Sequence, residues 1–445
     1  MARKSMTLIA LVSRALAFPA WVNEDVMARA LSSTNSAWTE GLRQLSLQDP
    51  LGVSRGESNC GIIPCPSFDE KDAFVSITGE HEYMAPTESD IRGPCPGLNA
   101  AANHGYLPRN GIASIEQTVA GLGALYNLGP TLTTALAVYA VLITGNPLEG
   151  VWSIGGPLPT DPLTSALLGN GQGLSYSHNN YEGDASIGRN DIYLGGGDAH
   201  SLNVTKFEHA YSVGGDEDRY TMDKFRQHFG SVQQESIATN PYYFSGGAFG
   251  PFIVVPAAYN FVINLMSNHS AEEPSGYLDG YNFKSFFGIT GEPGNFKWQR
   301  GQERVPENWY RRSSARPYDI EDIPIDALIG YLGYPNTLLL GGNTGTVNSF
   351  TGVDFNDLTG GVLNAQTLFE GNNFACFTYQ LLEQGIPNFS TGLLNDLKPI
   401  TDLLNSAIGP FLGGLSCPQF GQFNTGIFDH FPGHSYSPTG PDTNY

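Results

Sequence analysis

Glycine and proline interrupt this chain so often, with 54 Gly and 29 Pro among 445 residues, that few stretches are long enough for an unbroken helix or strand. Much of its length must lie in turns and loops. Where apolar residues do run on, their spacing is helical, and the alternation that marks half-buried strands is scarce. The pattern predicts a mostly α, multi-helix domain with long Gly/Pro-rich loops and no internal repeat.

Local signals place the helices. Ser114 with Gln117 forms a capping box that opens an apolar stretch to Leu128, and Thr131 to Thr144 reads as a second buried helix closed by Gly145 and Pro147. Leu148 to Asn180 reads as loop. A polar helix is expected from Asp218 to Ala238, stopped by Asn240-Pro241. Phe252 to Met266, Asn364 to Gln384 and Pro399 to Ile408 are further candidates.

Charge narrows the function classes. The 22 basic side chains face 43 acidic ones, for a net charge of −21, so the chain lacks the basic face through which nucleic acids are bound. With 25 Phe, 21 Tyr and 5 Trp it holds enough apolar surface for one large core or two ordinary ones. Met1 to Lys4 are basic, Met6 to Val12 are apolar, and Ala15-Leu16-Ala17 has the form of a cleavage site, so residues 1–17 read as a secretory signal peptide. Glycosylation acceptors at Asn203, Asn268 and Asn388 agree with export to the extracellular space. No later segment is expected to span a membrane, because the apolar run Phe252 to Met266 is short and holds Pro256, Asn260 and Asn264. Residues 18–75 read as a loosely structured extension, 76–425 as the main domain and 426–445 as a tail.

Five cysteines leave one unpaired whatever the pairing. Cys60 with Cys65 could close a small loop and Cys376 with Cys417 could tie a C-terminal helical segment, which leaves Cys95. Pro96 suits the first position of a helix, where its missing N–H is not needed, and makes Cys95 the N-cap. First-turn N–H groups would then point at the sulfur and favour a thiolate. Spacing alone favours a buried, inert cysteine. Among other chemistries there is no H-E-x-x-H pair, Walker loop or C-x-x-C, and Gly195-Gly196-Gly197 reads as a turn. Glu182-Gly183-Asp184-Ala185-Ser186 offers hard oxygen ligands of the kind that bind Mg²⁺ or Ca²⁺, although taken alone the motif reads rather as an acidic helix N-cap.

Together these pieces carry a resemblance. The segment DIRGPCPGLNAAANHGYLPRNGIAS, Asp90 to Ser114, closely resembles the proximal haem-binding segment of the fungal haem-thiolate peroxygenases related to chloroperoxidase. EGDAS with Arg189 and Asp191 is similar to their second signature, in the form carried by the long unspecific peroxygenases. ESIATNP, Glu235 to Pro241, is a third shared block, and Cys376 with Cys417 resembles the C-terminal disulfide of the long forms. The likeness runs from about Asp90 to Phe420. It implies haem b on Cys95 as proximal thiolate ligand, and Mg²⁺ held by Glu182, the Gly183 carbonyl and Ser186 beside a haem propionate. It also implies H₂O₂ as oxidant for small apolar or aromatic substrates, with oxygen inserted into C–H or double bonds, or halides and phenols oxidised.

One departure stands out. The long forms carry an Arg and a Glu after the Asn-Pro block, and the Glu moves a proton between the peroxide oxygens. Here Tyr242 to Tyr259 holds no acid, Arg or His, and Pro256 and Ala257 best match the missing acid. His228 and Glu235, seven residues apart on one predicted helical face, are substitute acid-base candidates, and a surface helix pair is the plainer reading. Phe244, Phe249 and Phe252 fit either a substrate channel or the core. The expectation is a peroxidase or peroxygenase slow toward peroxide, or else a haem-thiolate binding protein with little turnover.

Overall fold

The computed structural model describes residues 65–159, 171–246, 250–364, 367–368, 373–384 and 423–436, with 406, 409, 417, 418 and 421. Within these the chain is mostly helical. The helices are α1 (Pro96–Asn103), α2 (Ile115–Tyr126), α3 (Pro130–Ile143), α4 (Val204–Ser212), α5 (Met222–Thr239), α6 (Val255–Met266), α7 (Gly280–Phe286), α8 (Asp322–Gly333) and α9 (Asn373–Gln384), besides single turns. Strands are two or three residues long. They form two antiparallel pairs, β1 (Ile112–Ser114) with β2 (Val151–Ser153) and β4 (Ile289–Thr290) with β5 (Lys297–Trp298), and a three-stranded ribbon in which β6 (Gly341–Gly342) lies between β3 (Phe244–Ser245) and β7 (Thr351–Gly352).

The helix starts follow local chemistry. Cys95 is the N-cap of α1 and Pro96 its first residue. The capping box of α2 is complete, with Ser114 Oγ accepting from the Gln117 N–H and the Gln117 side chain accepting from the Ser114 N–H. The helix ends at Asn127, whose φ of 52° is the left-handed conformation that Asn tolerates. α3 is apolar around most of its circumference and packs on α2 in the interior.

Three helices went unread in the sequence. α4 is capped by Asn203, whose Oδ1 accepts from the Lys206 N–H, and α7 is only seven residues long. α8 carries Pro324 and Gly330, which look like loop punctuation. Pro324 sits in the first turn, where no upstream N–H bond is lost. The segment from Phe252 is helical, yet its first part, Gly250–Val254, is a π-turn, and the α-helix begins only at Val255. Pro256 cannot donate to the preceding turn, which is where such an irregularity is tolerated.

The buried apolar residues form one continuous core, within which two groups of contacts stand out. One is a sheaf of rings, with Phe207, Tyr220, Phe225 and Phe287 all within 6 Å of the Phe283 ring between α4, α5 and α7. The other joins α5, α6 and α8 through buried Asp326, which pairs with Arg226 (3.1 Å) and accepts from Asn264 (3.2 Å) and Tyr318 (2.8 Å). Asp69 to Phe74, within the expected N-terminal extension, is bonded to the domain body. Arg311 N donates to Ala73 O, Ser314 N donates to Asp72 Oδ2, and Phe74 bridges Tyr310. The expected tail is likewise docked through residue 434, with Asn179 Nδ2 donating to the Gly433 and His434 carbonyls.

Cys376 and Cys417 form a disulfide. Cys65 is also disulfide-bonded, while Cys60 lies outside the described residues and Cys95 is free. The segment Pro399 to Ile408 falls almost wholly outside the described residues. Among the described residues no helix is long and apolar enough to cross a membrane.

Candidate active site

The loop that carries Cys95 is held by backbone packing. A Cβ on Gly93 would stand 1.9 Å from the Ile154 carbonyl oxygen, and one on Gly155 would stand 2.3 Å from that of Arg92, so only glycine allows the two strands of chain to touch. Asn99, one turn into α1, closes the loop from the other side. Its Oδ1 accepts from the Gly93 N–H and its Nδ2 donates to the Gly93 carbonyl, both at 2.9 Å. Arg189 reaches across from the second signature and donates Nε (3.1 Å) and Nη2 (2.7 Å) to the Pro94 carbonyl.

Cys95 opens into a cavity whose empty volume, its mouth included, is about 1430 Å³. Its wall is apolar, built by Leu122 and Tyr126 of α2, Leu136 of α3, and Val255, Val262 and Met266 of α6. Glu182, Gly183, Ser186 and Arg189 line the same cavity. Two sequence blocks almost ninety residues apart thus meet across one space.

The electrostatics of the sulfur differ from the sequence expectation. The Leu98 and Gly97 N–H groups and Arg189 do favour a thiolate, but burial outweighs them and the pKa of the Cys95 thiol is raised. The helix N-terminus alone does not keep this sulfur anionic. A cation bound to it would reverse the balance.

Glu182 is buried. Its Oε2 is 2.7 Å from His178 Nδ1, while its Oε1 has no hydrogen-bond partner. Burial opposes a charge on His178, yet Glu182 and Asp184 outweigh it and push its pKa up to about 9, so the imidazolium holds Glu182 in place. Behind this pair lie Asp184 and Asp191. The side-chain amide of Asn240 donates to both, at 3.2 and 3.1 Å, and Lys206 pairs with Asp191 at 3.3 Å. Burial and Asp191 raise the pKa of Asp184, whereas Lys206, the Ala185 N–H and the side chains of Ser236 and Asn240 overcome burial to lower that of Asp191. Ala185 between them has φ 59°, a left-handed conformation costly for alanine. It is held by its N–H to Asp191 (3.0 Å) and by the Tyr259 hydroxyl on its carbonyl (3.0 Å). The strained turn aims Glu182, Gly183 and Ser186 at the cavity. Among the described residues no group of three His, Cys, Asp or Glu is arranged for a metal, so an ion here would rest on one carboxylate and neutral oxygens.

The substitute acid-base pair is not brought to this space. Glu235 is exposed on α5, and His228 lies against Tyr259 with burial lowering its pKa to about 4; neither lines the cavity. Pro256 and Ala257 also turn away, Pro256 toward a small space beside Ile323 and Phe374. Val254 at the end of the π-turn lines the cavity, and from α6 so do Val255, Ala258, Val262 and Met266 among others, but not Pro256 or Ala257. Phe244 and Phe252 belong to the core, against Phe431 and Phe377, and Phe249 lies outside the described residues. Glu182 is the one carboxylate among the described cavity-lining residues. Of the glycosylation acceptors, Asn203 donates its amide to Asn190 (2.6 Å) and Asn268 donates to the Asn308 carbonyl (3.3 Å), while Asn388 lies outside the described residues.

Sequence reasoning missed Glu303, buried behind α1 with its Oε1 accepting from Asn99 (3.0 Å). The available signal was the pair Asn99 and Asn103, two amides one turn apart on an otherwise apolar helix.

Comparison with known proteins bears on the same residues. The profile of peroxidase family 2 matches residues 81–314. The dothistromin biosynthesis peroxidase dotB of Dothistroma septosporum is 39% identical over 369 residues, 82% of this chain and 87% of the relative. The aromatic peroxidase fscJ of Fusarium equiseti is 39% identical over 384 residues, covering 82% and 86%. An aromatic peroxygenase of Cyclocybe aegerita is 30% identical over 342 residues, covering 75% and 82%.

Proposed function

Because this chain belongs to peroxidase family 2, the chloroperoxidase-like peroxidases, and is an oxidoreductase acting on peroxide, we propose that it is a haem-thiolate enzyme that uses H₂O₂ to oxygenate or oxidise small apolar or aromatic substrates. The observation that carries the reading is the meeting of a free cysteine and an unpartnered buried carboxylate oxygen, Glu182 Oε1, in one apolar cavity. The residues present fit the group. Cys95 would ligate the iron of haem b, and Glu182 Oε1, the Gly183 carbonyl and Ser186 Oγ would hold Mg²⁺ beside a propionate, with Arg189 adding a second positive charge. Haem iron with a thiolate ligand supplies the chemistry, because sulfur donates electron density that favours O–O cleavage.

The protein's own part is placement. Gly93, Asn99 and Arg189 fix the loop that bears the sulfur, and His178 fixes Glu182. The wall of α2, α3 and α6 excludes water and takes up an apolar substrate. The relatives named aromatic peroxidase and aromatic peroxygenase support an aromatic ring as that substrate. The cavity wall contributed by α6 has no acid to move the peroxide proton, which supports slow activation. Export through a signal peptide at residues 1–17, glycosylation at Asn203, Asn268 and Asn388, and a catalytic domain spanning 76–425 belong to the same reading.

The test is the spectrum and turnover of the purified protein. A strongly red-shifted Soret band of the ferrous carbonyl complex, with stoichiometric Mg²⁺ and peroxide-dependent oxygen transfer to an aromatic substrate, is the expected result. A thiolate band without turnover would leave a haem-binding protein, and no haem at all would overturn the reading.

A further inference from the structure

Glu303 is wholly buried. One oxygen accepts a single bond, from the neutral Asn99 amide, and Oε2 has no partner. No cation among the described residues pairs with it. Arg92 lies on its side of α1, but its guanidinium is spent on the Asn103 side chain and on the Ile91 and Arg109 carbonyls, and Arg189 is held by the Pro94 carbonyl. The segment is nonetheless docked firmly. Asn103 donates to the Gly301 and Glu303 carbonyls, both at 2.8 Å, and the Val305 N–H donates to His104 Nε2 at 3.2 Å. Asn99 and Asn103, one turn apart on α1, and His104 at its C-cap therefore hold an acid behind the helix that Cys95 caps.

An unpaired carboxylate in such a place is costly, and a fold without use for it would be better served by an apolar or amide side chain. What its position offers is influence on the sulfur. The same Asn99 amide bonds both Glu303 and the Gly93 carbonyl, two residues before Cys95, and each charge disfavours the other across that short span. We propose that Glu303 is a positioning residue for the proximal ligand: through Asn99 it fixes the loop that bears Cys95, and its change of charge sets how much electron density the sulfur gives to a bound iron. This rests on the reading that Cys95 ligates haem.

The charges that face Glu303 are Arg92, Arg189 and Cys95. Burial, only partly offset by the Asn99 bond and the two arginines, raises its pKa to about 7, and it in turn raises that of Cys95. Near neutral pH the carboxyl is therefore poised to change charge. Reduction of the iron adds a negative charge to the site, so an ionised Glu303 opposes reduction and a protonated one does not.

The experiment measures the ferric–ferrous potential of the haem-loaded full chain against pH, in wild type and Glu303→Gln. In wild type the potential falls as pH rises through the range around 7, with at least a threefold change in the ferric-to-ferrous ratio at fixed applied potential. In Glu303→Gln it stays near the low-pH wild-type value throughout, while the ferrous carbonyl band keeps its red shift. A glutamine variant with the same pH dependence as wild type overturns the proposal. If the variant does not fold, the infrared band of a protonated carboxyl in the wild type decides: its loss near neutral pH, displaced on reduction of the iron, supports the proposal, and its absence at pH 5 overturns it. If the protein as isolated shows no thiolate band, the haem reading has failed, and the coupling is read from Cys95 alkylation instead. Glu303→Gln must then react at least threefold faster than wild type at pH 8, and an equal rate overturns the coupling.

Discussion

Placing an acid at Ala258 tests how α6 meets the cavity. Ala258 is exposed to the empty space, whereas Pro256 and Ala257 are buried. It lies eight residues before Met266, whose Cε is 3.6 Å from where a Gly97 Cβ would stand, hence ~12 Å along the helix from the level of α1. Because Ala258 lines the cavity, a longer side chain there extends into it. A positioned carboxyl contributes about 10²–10⁴-fold to proton transfer, so Ala258→Glu is expected to raise the rate of peroxide-driven oxygen transfer by about 10²-fold. Pro256→Glu should fail for the opposite reason. Its carboxyl would enter the small space lined by Phe252, Ile323 and Phe374, where burial raises a carboxyl pKa by roughly three units, about 4 kcal/mol against ionisation. Initial rates at fixed H₂O₂ in wild type, Ala258→Glu, Ala258→Gln and Pro256→Glu separate these cases. The gain must appear only in Ala258→Glu and must be lost on acidification as the new carboxylate protonates. Equal rates in the Glu and Gln variants, or fast wild-type turnover, would refute the argument that a missing acid limits this cavity.

Cys95→Ala is expected to abolish the red-shifted carbonyl band; a variant that keeps it refutes the ligand assignment. Glu182→Gln removes the charge that holds both His178 and the proposed Mg²⁺, so Mg²⁺ content and haem retention should both fall, as metal analysis and absorbance would show. In Gly93→Ala the new Cβ, 1.9 Å from the Ile154 oxygen, needs about 1 Å of movement in the Cys95 loop, and a loss of about 1–3 kcal/mol with poor haem uptake is expected; an unchanged melting temperature would count against the close approach. Glu303 has a folded pKa of about 7 against a usual 4.5, so the native state binds more protons between those values and stability falls as pH rises through them, by up to about 3 kcal/mol. Denaturant titrations at pH 5 and 8 should show this difference in wild type and a much smaller one in Glu303→Gln.

What the sequence determined by itself is local. Cys95 as the N-cap before Pro96, the capping box of Ser114 and Gln117, the stop at Asn240 and the turn at Gly195 to Gly197 each depend on residues within four of one another, and each stands as read. The blocks around Cys95 and Glu182 were also legible as separate motifs, and the family membership they suggested is shown. Their meeting in one cavity was not, because it depends on α2, α3 and α6 folding around them. The facing of α6 escaped because the chain between Asn240-Pro241 and Val255 passes through β3 and a π-turn, so spacing along the sequence does not carry over into which helix residues face the cavity. The charge on the sulfur escaped for another. First-turn amides are a local effect that sequence can see, whereas the burial that outweighs them, and the carboxyl of Glu303 two hundred residues further on, come from chain that only the tertiary structure brings alongside.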